Sequence, residues 1–402
     1  MRRLDTTQGR SDRANGGQAD RPVYLDYNAT TPVDPRVVDE SLPFLSDVFA
    51  NPASEHRAGR HARAAVEAAR ARIAAALGAQ PGDVIFTSGA TESINLALKG
   101  VVSRGAPRRK IVTFSTEHKA VLDTCAWLVG EGVSVDVLPV DRDGLPDLDV
   151  ARDRIDNRTM LVSVMAANNE TGVINPIQQI SSMARQVGAL VHCDATQAFG
   201  KVPFVIDAAV DLVSVSSHKI YGPKGIGALI VPAATRAHLE PLIHGGGHER
   251  GLRSGTLNTF GIVGFGAACA LASSELGSDA ARIGALRDAL QGRILELVET
   301  AEVIGGSAPR LPNTLNVRLP GYDADALLLA MPSVAASTGS ACTASSPAPS
   351  HVLRAMGLGY REAQECIRFS VGRFSSPDDV ADATEYLARA LVRIGPPQSV
   401  TQ

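Results

Sequence analysis

The chain has 402 residues, of which 45% are hydrophobic and 20% charged, and its formal net charge is −3 at pH 7. This composition is ordinary for a soluble globular enzyme, and the length allows two domains with a large core. A net charge so close to zero gives no electrostatic reason to expect direct binding to nucleic acid or to a membrane. The five cysteines are scattered without paired spacing, which argues against a disulfide framework and favours a reducing, cytoplasmic location.

Strands and helices alternate between residues 36 and 275, and this predicts the larger of two domains. Runs such as Thr159–Met165 are mostly apolar, as in strands that are buried on both faces. The pattern predicts an α/β architecture with a mostly parallel sheet covered by helices. The segment Thr259–Ala272 is apolar but too short to span a bilayer. Because Gly and Ala dominate it, we expect a buried helix with close neighbours.

The pattern changes after residue 275. A predicted helix over Asp279–Val298 is followed by shorter strands and helices, which indicates a smaller α+β domain over residues 276–395. We expect residues 22–35, a short strand and a turn, to join this domain. Residues 1–21 are polar and contain no apolar run, so they predict a disordered tail, and residues 396–402 are expected to form a second tail.

Lys219 follows an apolar strand that starts at Leu212, and it lies in a turn with Gly222 and Pro223. A lysine in such a place is costly unless it is paired or its charge is removed, and Schiff-base formation with an aldehyde cofactor removes it. The alternative is a surface lysine after a strand. Asp194 ends the preceding strand, where a carboxylate caps a helix or pairs with a protonated pyridine nitrogen.

Other polar residues fall at strand ends, where ligands gather in an open parallel sheet. One such place is the turn at Gly89, which joins a strand to a helix that starts at Thr91 and suits a phosphate. The alternative is that Thr91 only caps the helix. His118 begins a helix and is either structural or covers a cofactor ring and moves a proton. Asn169 lies in a polar turn. Gln197 follows Asp194 within one turn and could bond to a cofactor or to its substrate.

Two further side chains and one loop are candidates. Cys342 lies in a loop of small polar residues, where a thiolate can form, although a lone loop cysteine can also be incidental. Arg368 is a charge within a strand pattern and suits a substrate carboxylate, or else an ion pair with a neighbouring acid. Residues 244–256 contain two histidines but no third metal ligand at the usual spacing, so an anion-binding loop that includes Thr256 is favoured over a metal site.

The motifs YLDYNATTP, FTSGATES, TEHKAVLDTC, NNETG, DATQ, SHKIYGPKG, GGGHERGLRSGT, STGSACTA and IRFSVGRF occur in this order. Together they resemble the NifS/IscS-type cysteine desulfurases, which are pyridoxal 5′-phosphate (PLP) enzymes of aminotransferase class V. The resemblance covers roughly residues 22–390. It implies the fold type I of PLP-dependent transferases and a homodimer with its active sites near the subunit interface. Ser217 stands where relatives often have Gly, a small change that should be tolerated.

The resemblance also implies a role for each matching residue. Lys219 would hold the cofactor as a Schiff base, His118 would stack on its ring and move a proton, and Cys342 would accept the sulfur. The other implied contacts are Ala90, Thr91, Ser216 and His218 with the phosphate, joined by Thr256 of the partner subunit, Asp194 with the pyridine nitrogen, Gln197 with the ring hydroxyl, and Asn169 and Arg368 with the substrate carboxylate.

The implied reaction converts L-cysteine to L-alanine, leaves a persulfide on Cys342 and passes the sulfur to a protein acceptor, with iron–sulfur cluster assembly as the expected destination. Sulfur donation for tRNA thiolation or DNA phosphorothioation stays open, as does another class-V activity such as that of a selenocysteine lyase or an aminotransferase. A non-catalytic partner protein on this fold is a further alternative. No stable metal is expected, with Cys342 at most a transient iron–sulfur ligand. The C-terminus lacks the longer tail with which housekeeping members hold a scaffold protein, which leaves the sulfur recipient open.

Overall fold

The computed structural model describes residues 22–102, 108–206, 210–338 and 349–395. Within these ranges the strands are β1 (Val23–Tyr24), β2 (Val84–Thr87), β3 (Lys110–Phe114), β4 (Ser134–Leu138), β5 (Thr159–Met165), β6 (Leu190–Asp194), β7 (Leu212–Ser216), β8 (Gly227–Ile230), β9 (Glu302–Val303), β10 (Thr314–Arg318), β11 (Val334–Ala335) and β12 (Cys366–Ser370). The α-helices are α1 (Pro35–Ser41), α2 (Pro43–Ser46), α3 (Arg57–Leu77), α4 (Ala90–Val101), α5 (Lys119–Gly130), α6 (Leu148–Arg154), α7 (Ile177–Gln186), α8 (Ala233–Arg236), α9 (Thr259–Leu297), α10 (Ala324–Ala330), α11 (His351–Ala355), α12 (Tyr360–Gln364) and α13 (Pro377–Ile394).

A seven-stranded sheet forms the centre of the described part of the chain, in the order β2-β8-β7-β6-β5-β3-β4. From β7 to β4 every neighbouring pair is parallel, whereas β8 runs antiparallel to both β7 and β2. The strands β2, β3, β5, β7 and β8 are buried along their whole length, as expected when helices cover both faces. The predicted mostly parallel sheet is therefore confirmed.

Alternate residues of the central strands face two separate cores, because successive side chains of a strand point to opposite faces. On one face Ile85 and Ile111 pack with residues of α4 and α5. On the other face Phe86 and Val112 pack with residues of α3 and with the first half of α9. The sheet is therefore held rigidly between two helical layers, which fixes the positions of its strand ends.

The helix α9 is continuous over 39 residues. The sequence pattern predicts two helices here, over Thr259–Ala272 and Asp279–Val298, and this prediction is wrong. The polar stretch between them contains no proline, so the helix continues through it with its side chains largely toward solvent. Gly277 lies in this stretch, and a Cβ added to it would meet no atom within 4 Å. A glycine in an exposed helical position lowers helix propensity without ending the helix.

The first half of α9 packs closely against α3. A Cβ added to Gly266 would lie 2.7 Å from the Cα of Ala69, so only glycine permits this approach of the two helices. By length and apolar composition α9 is also the one helix among the described residues that could cross a membrane. Its apolar half is nevertheless part of the core beneath the central sheet, in agreement with the expected buried helix.

The C-terminal elements form a second layer around the other half of α9. The strands β12, β10 and β9 make an antiparallel sheet, and β1 pairs in parallel with β11. Val23 and Leu25 share a core with Ile283 and Leu290 of α9. Thr31 and Asp34 instead bond to the backbone that follows β7, so the association of residues 22–35 with this layer stays a prediction. The boundary proposed at residue 275 falls within α9, and the division into domains stays a prediction. Both predicted tails lie outside the described residues.

Several short elements are not predicted from the sequence pattern, among them β8 and α6. The strand β8 has only four residues and begins two positions after Gly225, so it lacks both length and alternation. The helix α6 has seven residues and is started by Asp147, whose side chain accepts hydrogen bonds from the backbone N–H groups of Asp149 and Val150. Both elements are short enough that tertiary packing determines them.

Candidate active site

A cavity of about 500 Å³ lies at the carboxyl ends of the parallel strands. It is bounded by residues that follow β2, β3, β5, β6 and β7, which is where ligands bind in open α/β sheets. The predicted site residues that line it are Ala90, Thr91, His118, Asn169, Asp194, Gln197, Ser216, His218, Lys219 and Arg368. The fold therefore brings together side chains that the sequence carries on separate elements.

Lys219 reaches the cavity from the turn that follows β7. This turn is a single 3-10 turn over Ser217–Lys219. The Lys219 Nζ donates hydrogen bonds to the backbone carbonyl oxygens of Asn28 and Ala29, the latter at 2.8 Å. A Cβ added to Gly222 would lie 2.0 Å from the Ser217 Oγ, so the turn has no room for a larger residue. The amine is thus anchored at the cavity wall and is not the surface lysine of the alternative interpretation.

The N-terminus of α4 forms another part of the cavity wall. The strand β2 leads through Gly89 into the helix, which begins at Ala90. A Cβ added to Gly227 of β8 would lie 2.7 Å from the Gly89 Cα, so the start of the helix rests directly on the sheet. The free N–H groups and the positive end of the helix dipole suit a phosphate group.

His218 adds a polar side chain to this part of the wall. Its Nδ1 lies 3.1 Å from the Thr30 Oγ1. Desolvation by burial, with the nearby charges of Lys219 and Lys224, lowers the pKa of His218 to about 4. The imidazole is therefore neutral at pH 7 and still carries one N–H donor.

Asp194 stands at the end of β6, between the ends of β5 and β7. Its Oδ1 accepts a hydrogen bond from the Thr196 backbone N–H at 3.0 Å, and its side chain also lines the cavity although the residue is only 6% exposed. Asp194 can therefore cap the following turn and contact a ligand at the same time, so the two roles suggested by the sequence are compatible. Carboxylates at this position are well placed to meet a protonated ring nitrogen.

Glu117 is a second acid close to Asp194, and the sequence pattern does not single it out. It is wholly buried, and its Oε1 accepts a hydrogen bond from the Met165 backbone N–H at 2.6 Å. Desolvation, reinforced by the charge of Asp194, raises the pKa of Glu117 well above its usual range. A protonated Glu117 adds no second negative charge beside Asp194.

Arg368 projects from β12, on the C-terminal layer, and is 3% exposed. Its Nη2 donates to the Asp26 Oδ1 at 2.6 Å and its Nη1 donates to the Asn169 carbonyl oxygen at 3.1 Å. Within the described residues, the Arg368 Nε is buried without a hydrogen-bond partner. The ion-pair interpretation therefore holds through Asp26, while an unsatisfied donor remains for a ligand.

His118 caps α5. Its Nδ1 accepts a hydrogen bond from the Ala120 backbone N–H at 3.1 Å, and the ring lines the cavity. An N-cap bond of this kind fixes the ring orientation. The structural and ligand-facing roles of His118 thus coexist.

Comparison with known proteins places this site in a family. The sequence profile described as "Aminotransferase class-V" matches residues 23–382. The chain belongs to this family. The cysteine desulfurase IscS of Rickettsia akari is 44% identical over 376 residues, which cover 93% of this chain and 92% of that protein. The cysteine desulfurase IscS of Shewanella baltica (strain OS155) is 47% identical over 378 residues, which cover 93% of each. The predicted resemblance to the NifS/IscS-type enzymes is confirmed.

Solved structures agree with this placement among the class-V aminotransferases. A structure titled "NIFS-LIKE PROTEIN" superposes with a TM-score of 0.86 at 38% identity and covers 92% of this chain and 100% of its own. A structure titled "SspA in complex with cysteine" has a TM-score of 0.77 at 37% identity and covers 88% of this chain and 100% of its own. The predicted fold type I architecture and the PLP dependence of the enzyme are confirmed.

The residues that line the cavity of this class-V family member fit PLP. The cavity offers an amine for the aldehyde, an acid at a strand end for the pyridine nitrogen, and a helix N-terminus for the phosphate. The close contact between Gly227 and Gly89, where a side chain would collide with backbone, keeps that helix start in place. Arg368 also lines the cavity, and a guanidinium group suits a carboxylate.

Two predicted site residues do not line this cavity. Thr256 borders a separate groove together with Leu45 and Phe49, and its assignment to the partner subunit's site stays a prediction. Cys342 lies outside the described residues. No group of three His, Cys, Asp or Glu residues in the described ranges is arranged to hold a metal ion.

Asn28 is the main residue that the sequence analysis missed. It lies in the motif YLDYNATTP, and its backbone carbonyl oxygen accepts from Lys219 and, at 3.0 Å, from the Gln197 Nε2. Its Oδ1 accepts from the Asn313 Nδ2 at 2.8 Å. A polar residue four positions after the short strand β1 was the available signal, but the chain gives no indication that this segment reaches the end of β7.

Proposed function

We propose that this enzyme is a cysteine desulfurase that takes the sulfur of L-cysteine and holds it as a persulfide on Cys342 before passing it to a protein acceptor. The observation that carries the proposal is that Lys219, Asp194 and Arg368 line one cavity. The first two suit PLP, and the third suits the carboxylate of an amino-acid substrate. The IscS relatives, which are named cysteine desulfurases, support the choice of reaction.

The site residues divide into those that react or move protons and those that bind the cofactor or the substrate. Bound PLP supplies an electron sink for the electrons of the amino acid's broken bond. Lys219 is the covalent attachment point, and Lys219 and His118 move protons at the substrate. The binding residues are Ala90, Thr91, Ser216 and His218 for the phosphate, with Thr256 of the partner subunit, Asp194 for the pyridine nitrogen, Gln197 for the ring hydroxyl, and Asn169 with Arg368 for the substrate carboxylate.

The overall reaction balances with one thiol of the enzyme. The Cys342 thiol and L-cysteine give L-alanine and a Cys342 persulfide: the carbon–sulfur bond of the substrate breaks, the sulfur–sulfur bond forms, and the substrate carbon gains a proton. The thiolate is the nucleophile. Other cysteines are poor substitutes, since burial raises the pKa of the Cys125 and Cys366 thiols to about 12.

The proposal extends to assembly, location and pathway. Beside Thr256 the surface exposes Leu45 and Phe49, the latter 79% exposed, and an apolar surface of this kind supports a homodimer. The described cysteines are all free and buried, which supports a cytoplasmic location. Iron–sulfur cluster assembly is the proposed destination of the sulfur, as the resemblance to the NifS/IscS-type enzymes implies, and relatives named cysteine desulfurase IscS support that resemblance.

The test uses the full chain loaded with PLP and supplied with L-cysteine. Alanine is quantified by chromatography and the protein persulfide by mass spectrometry. Lys219→Ala should abolish alanine formation. Cys342→Ala and Cys342→Ser should keep the yellow cofactor absorbance but form no transferable persulfide, whereas the matched control Cys125→Ala should retain the activity.

Each alternative gives a distinct result. Full persulfide transfer by Cys342→Ala would refute the assignment of the acceptor thiol. Transamination of L-cysteine without sulfur release would indicate an aminotransferase, and turnover of selenocysteine alone would indicate a selenocysteine lyase. A chain that takes up no PLP would be a non-catalytic relative.

A further inference from the structure

Lys201 is a charged residue beside the site for which the proposed reaction has no task. It lies four residues after Gln197, in the turn that follows β6. It does not line the main cavity but borders a small separate void together with Tyr27 and Asp279. Its Nζ nevertheless contacts two residues that do line the cavity, at the Gln197 Oε1 and, at 3.5 Å, at the Asn28 Oδ1.

Both contacts of the Lys201 Nζ are to amide oxygens. An ammonium group has three N–H donors and no acceptor, and a neutral amine still has two donors. Desolvation, with the charges of Lys219 and Arg368 nearby, lowers the pKa of Lys201 well below its usual value. The charged form of Lys201 can contact these amides only at their oxygen ends, and in the neutral form the two N–H groups still match the two oxygens.

The rest of the network agrees with this orientation. The Gln197 Nε2 donates to the Asn28 backbone carbonyl oxygen at 3.0 Å and has a second N–H to offer. The Asn28 Nδ2 donates to the Asn169 carbonyl oxygen at 3.1 Å and to the Thr314 Oγ1 at 2.9 Å. If the Gln197 amide were turned over, its N–H₂ would face the donor Lys201 and its oxygen would face a carbonyl oxygen.

We propose that Lys201 is a positioning residue that turns the Gln197 amide so that its nitrogen end serves the cavity as a hydrogen-bond donor. The group that this donor fits is an oxygen acceptor, the ring hydroxyl oxygen of the cofactor. The inference rests on the contact between Gln197 and that hydroxyl in the proposed function. Without Lys201 only the Asn28 carbonyl oxygen holds the amide in this orientation, so the amide turns over more easily and the donor is lost for part of the time.

The test compares the binding of two cofactors to the full-length, cofactor-free protein. PLP carries the ring hydroxyl, and 3-deoxypyridoxal 5′-phosphate lacks it. Lys201→Met should weaken PLP binding about 3- to 10-fold, the loss of one ordinary hydrogen bond. It should change the binding of the deoxy analogue less than about 2-fold. Lys201→Arg, which keeps the donors, should bind PLP like the parent, and in a Gln197→Ala background Lys201→Met should add less than about 2-fold.

Lys110→Met is the matched control for the loss of a buried lysine. The Lys110 Nζ donates to the Arg154 carbonyl oxygen at 2.6 Å and pairs with Asp136 at 3.0 Å, at the opposite end of β3 from the cavity. Its loss should lower thermal stability and leave the affinities for both cofactors unchanged. If Lys201→Met does not fold, Lys201→Gln, whose amide can present either end, is measured in the same way.

Two outcomes would overturn the inference. One is an equal loss of affinity for PLP and for the deoxy analogue in the Lys201 variant, which would indicate a structural role only. The other is an unchanged PLP affinity in the Lys201 variant when Gln197→Ala weakens the binding of PLP but not of the deoxy analogue. If Gln197→Ala itself shows no selectivity between the two cofactors, the contact assumed in the proposed function is what fails, and the role of Lys201 falls with it.

Discussion

Replacing Arg368 with Met removes the guanidinium group that lies between the cavity and Asp26. In the parent its Nη2 and Nη1 each make one hydrogen bond, to Asp26 and to the Asn169 carbonyl oxygen, and the Nε makes none. A guanidinium group has five N–H donors, and we propose that a remaining one binds the substrate carboxylate. The substitution keeps a side chain of similar length and removes both the charge and the donor. We therefore expect weaker binding of any substrate that carries a carboxylate.

The magnitude follows from the loss of one charge-assisted hydrogen bond. Such a bond contributes about 1.5–3 kcal/mol, so the KM for L-cysteine should rise about 10- to 150-fold. Breaking a fully buried ion pair costs about 3–5 kcal/mol. Because the Asp26 side chain is 17% exposed, water screens part of this cost, and the free energy of unfolding should fall by only about 1–3 kcal/mol.

The assay measures the KM for L-cysteine and the inhibition constant of cysteamine, which has the same thiol and amine but no carboxylate. Arg368→Met should raise the KM for L-cysteine and change the inhibition constant of cysteamine by less than about 2-fold. Arg368→Lys, which keeps the charge but loses the planar fork, should fall between the parent and Arg368→Met. An equal loss for both compounds, or an unchanged KM for L-cysteine, would refute the assignment of Arg368 to the carboxylate.

Three further predictions test the surroundings of the site. Desolvation raises the pKa of Glu170 from 4.5 to about 7 in the folded protein. The protonated Glu170 side chain therefore stabilises the fold below the pKa of the unfolded state, and this stabilisation is lost as the pH rises through the folded-state pKa. Between pH 4.5 and 7.5 the parent should therefore lose about 3 kcal/mol of unfolding free energy relative to Glu170→Gln, and equal slopes in urea unfolding would contradict this. Gly227→Ala places a Cβ 2.6 Å from the Val215 carbonyl oxygen and 2.7 Å from the Gly89 Cα, so it should destabilise the fold by about 1–3 kcal/mol and weaken PLP binding. Gly82→Ala, whose Cβ meets nothing within 4 Å, should do neither. Arg70→Met leaves Glu249 unpaired, with side-chain exposures of 4% and 2% in the parent, and should cost about 3–5 kcal/mol in chemical denaturation. The exposed pair of Arg152 and Asp149 is the control, because Arg152→Met should leave stability nearly unchanged.

The sequence predicts the central sheet well because burial on both faces leaves a direct mark on composition. The strand Thr159–Met165 is apolar except for Thr159 and Ser163, and its bounds in the structure are those predicted. Predictions fail where packing rather than pattern determines the element. The polar stretch around Gly277 stays helical because both flanks of α9 are fixed in cores, and no local signal shows this.

The sequence predicts many of the side chains that line the cavity, but it does not predict their contacts. Motifs place Lys219 and Asp194 at strand ends, and parallel strand order brings these ends together. The contact of Arg368 with Asp26 joins positions 342 residues apart. It depends on how the C-terminal layer rests on the sheet, and no spacing in the chain specifies that arrangement.

Positive groups are concentrated in and around this cavity in a way that explains what it binds. Lys219 and Arg368 line the cavity, and their charges, after desolvation, lower the pKa of Lys201. Lys219 and Lys201 likewise contribute to the low pKa of His218. The repulsion between neighbouring cations is offset when an anion binds between them, because an opposite charge favours the charged form of each group. A phosphate and a carboxylate are two such anions, so the positive charges that line the cavity favour binding of a phosphorylated cofactor together with an amino acid.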